Sequence, residues 1–99
     1  MQLQFQTPVN SDLIHIKNAV YTNISITGSG NHKYVSFSVP EDIMPFDATF
    51  ISVQITDWRN GAIPFSVVYS TSERKLYIIS TSGLDGTISS VTVQFAYMA

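Results

Sequence analysis

The chain has 99 residues, no cysteine and a net charge of −2, and only 12% of its residues are charged, against about 25% in a typical globular domain. This length favours a single domain over residues 1–99. The absence of cysteine excludes a disulfide framework and a cysteine-based zinc site. The few basic residues are scattered, which argues against nucleic-acid binding. No apolar run reaches membrane-spanning length, and the N-terminus lacks the pattern of a secretory signal, so we expect no membrane insertion.

Apolar and polar residues alternate along most of the chain, a pattern typical of half-buried β-strands. Ile and Val together number 20 and Leu only 4, a bias toward branched side chains that favours strands. In chain order, about eight segments show the alternation: "LQF" (3–5), "IHI" (14–16), "VYTNISI" (20–26), "HKYVSFSV" (32–39), "FISVQI" (50–55), "IPFSVVY" (63–69), "KLYIIS" (75–80) and "VTVQFAYM" (91–98). The segment "KLYIIS" is apolar on both faces, which predicts a central strand or one covered by a partner.

The alternation also assigns a face to each side chain. It predicts that Ile14 and Ile16 share the core face, and that both histidines point outward. In the third segment it places Val20 with Ile24 and Ile26 in the core and leaves Tyr21 on the polar face.

Turn signals separate most of these segments. They are Asn10-Ser11, Gly28-Ser29-Gly30-Asn31, Asn60-Gly61, Thr71-Ser72-Glu73 and Gly83-Leu84-Asp85-Gly86. "VPEDIMPFDA" (39–48) carries two prolines and predicts a loop with one helical turn after Pro40. Alternation with one polar face indicates sheets that bury one side. We therefore predict an all-β fold, a small antiparallel β-sandwich of jelly-roll-like or immunoglobulin-like type with about eight strands, with a closed small barrel as the alternative.

The single tryptophan, Trp58, lies just before the hairpin signal Asn60-Gly61. Extending the alternation of 51, 53 and 55 places Trp58 on the polar face with Ser52 and Gln54, outside the core, at the tip of a hairpin. An indole with Asp57, Arg59 and Asn60 around it could stack on a sugar or anchor a protein interface. Packing on a neighbouring loop is the purely structural explanation.

Other candidate residues are fewer. The remaining outward aromatic side chains, which are Tyr21, Tyr34 and His32, could belong to the same binding surface or to a subunit contact. The two histidines have no metal-ligand spacing, no serine lies in a nucleophile elbow, and the clustered acids Glu41, Asp42 and Asp47 fit an ordinary loop. The sequence thus predicts no enzyme, no cofactor and no metal site.

A compact β-domain rich in Ser, Thr and Asn, without cysteine and with the closing strand "SSVTVQFAYMA", resembles the C-terminal head of a phage tail-fibre or receptor-binding protein. The segment "ATFISVQITDWRNGAIPFSVVYSTSERKLYIIS" is similar in cadence to such tips, and the resemblance covers about residues 32–99. It implies a homotrimer in the virion tail or outside the cell that recognises a host cell-surface saccharide or protein. The resemblance assigns no individual residue of this chain to a binding site.

Two other functions fit the same residues. A neutral surface rich in hydroxyl and amide groups also suits a carbohydrate-binding module of a secreted protein. A structural virion protein, such as a capsid decoration or tail component, would need no small ligand. The first and third interpretations predict an oligomer, whereas the second predicts a monomer with an exposed aromatic platform.

Overall fold

The computed structural model describes residues 14–29, 32–61 and 63–99. These residues contain six antiparallel β-strands. The strands are β1 (Ile14–Ser29), β2 (His32–Ser38), β3 (Thr49–Arg59), β4 (Phe65–Ser70), β5 (Lys75–Ser80) and β6 (Gly86–Met98). They make one sheet in the order β3-β6-β1-β2-β5-β4. The all-β antiparallel prediction is confirmed, and among the described residues there is no helix beyond isolated turns.

The described residues form six strands, whereas about eight were predicted for the whole chain. Two predicted segments, "IHI" and "VYTNISI", merge into the 16-residue strand β1 because no turn signal separates them. The segment "LQF" and the turn signal Asn10-Ser11 lie outside the described residues. The sandwich is not confirmed, because the strands form one sheet that curves until it nearly closes into a barrel, which is closer to the alternative architecture.

The inward face of β1 changes sides part-way along the strand. Ala19 is buried and Tyr21 half-buried in the first half, whereas Ile24 and Ile26 are buried in the second. The cause is Asn23 between them, whose backbone is left-handed with φ 54°. A left-handed residue interrupts the two-residue period, and Asn tolerates this conformation better than most side chains.

This reversal overturns the assignment of faces in the first half of β1. Val20 is 61% exposed, whereas Tyr21 points to the core and packs on Phe37. Ile14 and Ile16 are exposed, and His15 instead stacks on the buried Tyr97 with the ring centroids 5.3 Å apart.

Strand β6 is the centre of the fold. It pairs with β1 from Gly86 to Met98 and with β3 from Ser90 to Met98, so it is hydrogen-bonded on both sides. Its alternate residues Val91, Val93, Phe95 and Tyr97 are buried, as their spacing predicts. Strand β5 is likewise flanked on both sides, by β2 and β4, as its two apolar faces predict.

The two edge strands, β3 and β4, face each other through side chains, with no β3–β4 ladder among the described residues. Tyr69 of β4 packs on Phe50 of β3 at 4.7 Å between ring centroids and meets Phe95 edge-on at 5.8 Å. Further along, Trp58 of β3 meets Phe65 of β4 edge-on at 6.1 Å. We call this boundary the aromatic seam. The predicted β3–β4 hairpin at Asn60-Gly61 is therefore wrong, because β3 pairs with β6 instead.

The loop 39–48 is held in place by one arginine. Its predicted helical turn is present, since the amides of Ile43 and Met44 donate to the Pro40 carbonyl. The Arg74 guanidinium, which lies in the β4–β5 turn, donates through Nη2 to the carbonyl oxygens of Val39 at 2.9 Å and Met44 at 2.7 Å.

The same guanidinium also covers the outside of the loop. It lies 4.5 Å from the ring centroid of the exposed Phe46, within the range of a cation–π contact. A planar, permanently charged fork can serve several carbonyl groups at once, which an ammonium group does less well.

Replacing this arginine should destabilise the fold. We expect Arg74→Ala to lower the free energy of unfolding by about 2–3 kcal/mol, because it removes charge-assisted hydrogen bonds to two loop carbonyls. Thermal melting measures the loss. Arg59→Ala is the matched control: that guanidinium is exposed, and its removal should change stability by about 0.5 kcal/mol or less. Equal melting temperatures for the two variants would contradict a structural role for Arg74.

Candidate functional site

The orientation of Trp58 is set by a β-bulge. The β3–β6 register shifts between Ile55 and Asp57, so that Thr56 has no partner residue in the ladder and Trp58 stands opposite Val91. The Thr56 hydroxyl donates to the Thr92 carbonyl at 3.3 Å. An extra residue moves every following side chain to the other face of the strand. Trp58 therefore lies on the core side and not on the polar face.

Trp58 is nevertheless 53% exposed, because it lies at the end of β3 where the core ends. One edge of the indole packs on Phe65, and the benzo ring lies over Gly61. A Cβ added at Gly61 would lie 3.2 Å from Trp58 Cε3, so any larger residue would require the ring to move by a few tenths of an ångström. The remaining surface of the indole faces solvent.

The connection 60–64 beside the indole is anchored at three points. Asn60, with φ 53°, donates from Nδ2 to the Ser89 hydroxyl at 3.1 Å. Ile63 is buried against Gly86, where an added Cβ would meet its side chain at 2.9 Å. The Thr81 amide donates to the Pro64 carbonyl at 3.1 Å. Each of these contacts ties a described residue of the connection to another part of the fold.

An open pocket of about 360 Å³ lies at this end of the aromatic seam. Its lining is Ile55, Trp58, Gly61, Ile63, Pro64 and Phe65. None of the described residues that line it is ionisable, so it suits the apolar face of a neutral ligand or an apolar side chain of a partner. We call it the Trp58 pocket.

The predicted polar neighbours do not all converge on this pocket. Asp57 and Arg59 stand opposite Thr92 and Ser90, on the other side of the strand from Trp58. Their side chains are 59% and 74% exposed and form an ion pair of 3.7 Å with each other. An exposed pair of this kind contributes little stability. Of the polar residues predicted around the indole, Asn60 belongs to the connection that frames the pocket.

The other predicted aromatic residues lie elsewhere. Tyr21 packs on Phe37 at 4.8 Å inside the fold, and burial raises the pKa of its phenol. Tyr34 is 48% exposed on the outer face of β2 and packs on Tyr77 at 5.3 Å. His32 pairs with Ser29 in the β1–β2 ladder, and its side chain is outside the described part of the chain.

The outer face around Tyr34 has its own polar contact. The Tyr77 hydroxyl donates to a Glu73 carboxylate oxygen at 2.6 Å, and this hydrogen bond, with the neighbouring negative charge, raises the pKa of Tyr77. No group of three or more potential metal ligands comes together within the residues described. In that same part of the chain, no helix has the length and apolar character needed to cross a membrane.

Sequence reasoning missed some of the residues that frame the site. Gly61, Pro64 and Ile63 were assigned to a turn and a strand, and only the contact between Gly61 and the indole reveals their role. A second, polar pocket of about 280 Å³ lies where β1 and β6 change face. Its lining is Asn23, Ile24, Ser25, Thr87, Ile88 and Ser89. An asparagine in the middle of a strand was the available signal.

The chain was compared with known protein families, with curated protein sequences and with solved structures, and none of them matches it. The function is therefore argued from the residues and geometry of the chain itself.

The close contact at Gly61 can be tested by filling it. We expect Gly61→Ala to push the indole outward and shift tryptophan emission to longer wavelength, because the new methyl needs space that Cε3 occupies. Gly83→Ala is the matched control. Gly83 has open space around it but φ 76°, so that variant should lose about 1 kcal/mol of stability from backbone strain without changing the emission. An unchanged emission in Gly61→Ala would contradict the packing described.

Proposed function

We propose that the protein is a non-enzymatic binding module, the receptor-binding head of a phage tail fibre or related particle, which attaches to a host cell-surface saccharide or protein through the Trp58 pocket. The observation that carries the proposal is the half-exposed indole of Trp58 in an open apolar pocket at the end of the seam. A tryptophan that keeps half its surface in water offers a large flat area for a partner.

The contacts of the pocket residues support this role. Gly61 lies against Trp58, Ile63 against Gly86, and the Pro64 carbonyl accepts from the Thr81 amide, and such contacts reduce the conformational freedom that is lost when a partner binds. The apolar face of a sugar ring can stack on the indole, and an apolar side chain of a receptor protein can fill the same space. Asn60, in the connection beside the pocket, provides a polar group near it, whereas Asp57 and Arg59 lie on the other side of the strand.

In this proposal the protein acts in the virion tail or outside the cell, as a homo-oligomer that the resemblance implies to be a trimer. The head would be the curved single sheet described above, in place of a two-sheet sandwich. Cofactors, metals and nucleic acid have no part in the proposed activity.

Two alternative functions remain. A carbohydrate-binding module of a secreted protein would use the same indole platform as a monomer. A structural virion protein is favoured by a different observation, the exposed apolar side chains Ile14, Ile16 and Val20 along β1, which suit contacts within an assembly. Glycan-array and whole-cell binding, measured beside the mass in solution, distinguishes the three functions.

Trp58→Ala tests the proposed site. We expect it to weaken binding to whole cells or to the glycan detected on the array by about 2 kcal/mol or more, which is about 30-fold. Because the indole is half-exposed, the stability loss should be about 1–2 kcal/mol, below the 3–5 kcal/mol of a core aromatic residue. Val68→Thr, on the outer face of β4, is the control and should bind as the wild type does. Unchanged binding by Trp58→Ala would reject the Trp58 pocket as the receptor site.

A further inference from the structure

A group of apolar side chains is exposed on the outer face of the β3-β6-β1 part of the sheet. Ile14 is 47% exposed, Ile16 59% and Met98 40%, although each belongs to a strand. The ladder sets Ile14 beside Met98 and Ile16 beside Ala96, so these residues form adjacent rows. Single exposed apolar residues are ordinary, but a contiguous group on neighbouring strands marks a surface for contact.

The next row of this face is built from amides. Asn18 and Gln54 both stand opposite Gln94, and Gln54 Nε2 donates to Gln94 Oε1 at 3.1 Å. In the three rows from Met98 to Gln94, the described outward side chains of β1, β3 and β6 carry no charge. We call this surface the neutral face, defined by Ile14, Ile16, Gln54, Gln94, Ala96 and Met98.

The absence of charged side chains in these three rows favours a second copy of this chain as the partner. In a symmetric assembly a residue on the rotation axis meets its own copies, so a charged group there is repelled, whereas an off-axis residue meets a different residue of the other copy. Apolar side chains have no such conflict, and an amide is both donor and acceptor, so it can bond to an identical amide. The neutral face is thus compatible with a second copy of itself.

The other exposed apolar surface is less suitable. It lies on the outer face of β5 and its neighbours, where Tyr77 is hydrogen-bonded to the Glu73 carboxylate and Lys75 begins the strand. Copies meeting there would bring like charges together or would have to desolvate them. The Trp58 pocket, at the end of the seam, is left open to a receptor.

We propose that the neutral face is the contact surface between copies of this chain. The inference does not depend on receptor binding, because it uses a different surface and a different observation. In an assembly of this kind Ile16 lies within the interface, and Val68, on the outer face of β4, lies outside it.

Sedimentation equilibrium of the full chain, with Ile16→Lys and the matched control Val68→Lys, tests the proposal. Both sites are exposed on strands, at 59% and 50%, so neither lysine enters the core. We expect the wild type and Val68→Lys to be oligomers and Ile16→Lys to be a monomer, with association weakened by about 30-fold or more. Melting curves and tryptophan emission establish that each variant is folded. Met98→Lys, on the adjacent strand, replaces Ile16→Lys if that variant fails to fold.

Each remaining outcome decides against a specific statement. A monomeric wild type overturns the inference, and it is also the result expected if the chain's own residues 1–13, outside the described part, cover this face. An oligomer broken by Val68→Lys but not by Ile16→Lys overturns it as well. A dimer broken by Ile16→Lys supports the neutral face but rejects the trimer of the proposed function. Loss of receptor binding with an intact oligomer concerns the Trp58 pocket alone.

Discussion

The fold depends on the contact between the two edge strands of its sheet, which side chains make and described backbone hydrogen bonds do not. Strands β3 and β4 are the two edges of the sheet. Aromatic side chains pack between them, and the described residues form no hydrogen-bonded ladder there. Ring pairs of this kind contribute on the order of 1 kcal/mol beyond the area that they bury. The seam brings distant segments together, since β3 pairs with β6 and β4 with β5. Without it, Phe65 would not lie against Trp58 and the pocket between them would not exist.

The pocket follows from the way the seam ends. At the other end from Trp58, Tyr69 packs on Phe50 and meets Phe95 edge-on. At the Trp58 end, Gly61 offers only a hydrogen where a larger residue would fill the gap. The indole is thus supported from one side and free on the other. The same aromatic contacts that stabilise the fold also create an open platform at its rim.

The sequence predicted the inward faces well where strands are regular. Val91, Val93, Phe95 and Tyr97 are buried at the positions that their spacing requires. The prediction failed where one residue breaks the period. Asn23 reverses the face of β1, and the bulge at Thr56 reverses the end of β3. Thr is common in strands, so nothing in the sequence indicated the bulge at Thr56, whereas Asn is rare in strands and Asn23 was a signal of an interruption.

The candidate site was predicted only in part, because the bulge at Thr56 reverses the face on which Trp58 lies. Trp58 is exposed as predicted, but it lies on the opposite face of β3 from the predicted one, away from Asp57 and Arg59. Its true neighbours, Gly61 and Phe65, follow from the closure of the sheet. Pairing between distant strands cannot be read from alternation alone, since alternation defines faces and not partners.

The central position of β6 has a consequence during synthesis. Ile14 is paired with Met98, and Phe50 with Tyr97, so β1 and β3 both hydrogen-bond to a strand that the ribosome makes long after them. Until β6 emerges, both earlier strands carry unpaired edges and uncovered apolar side chains, which are prone to aggregation. Among the described strands, β1 pairs with β2 and β4 pairs with β5, and in both pairs the partners are neighbours in sequence. For most of its translation, the nascent chain would therefore depend on a chaperone, or on its own solubility, to avoid aggregation.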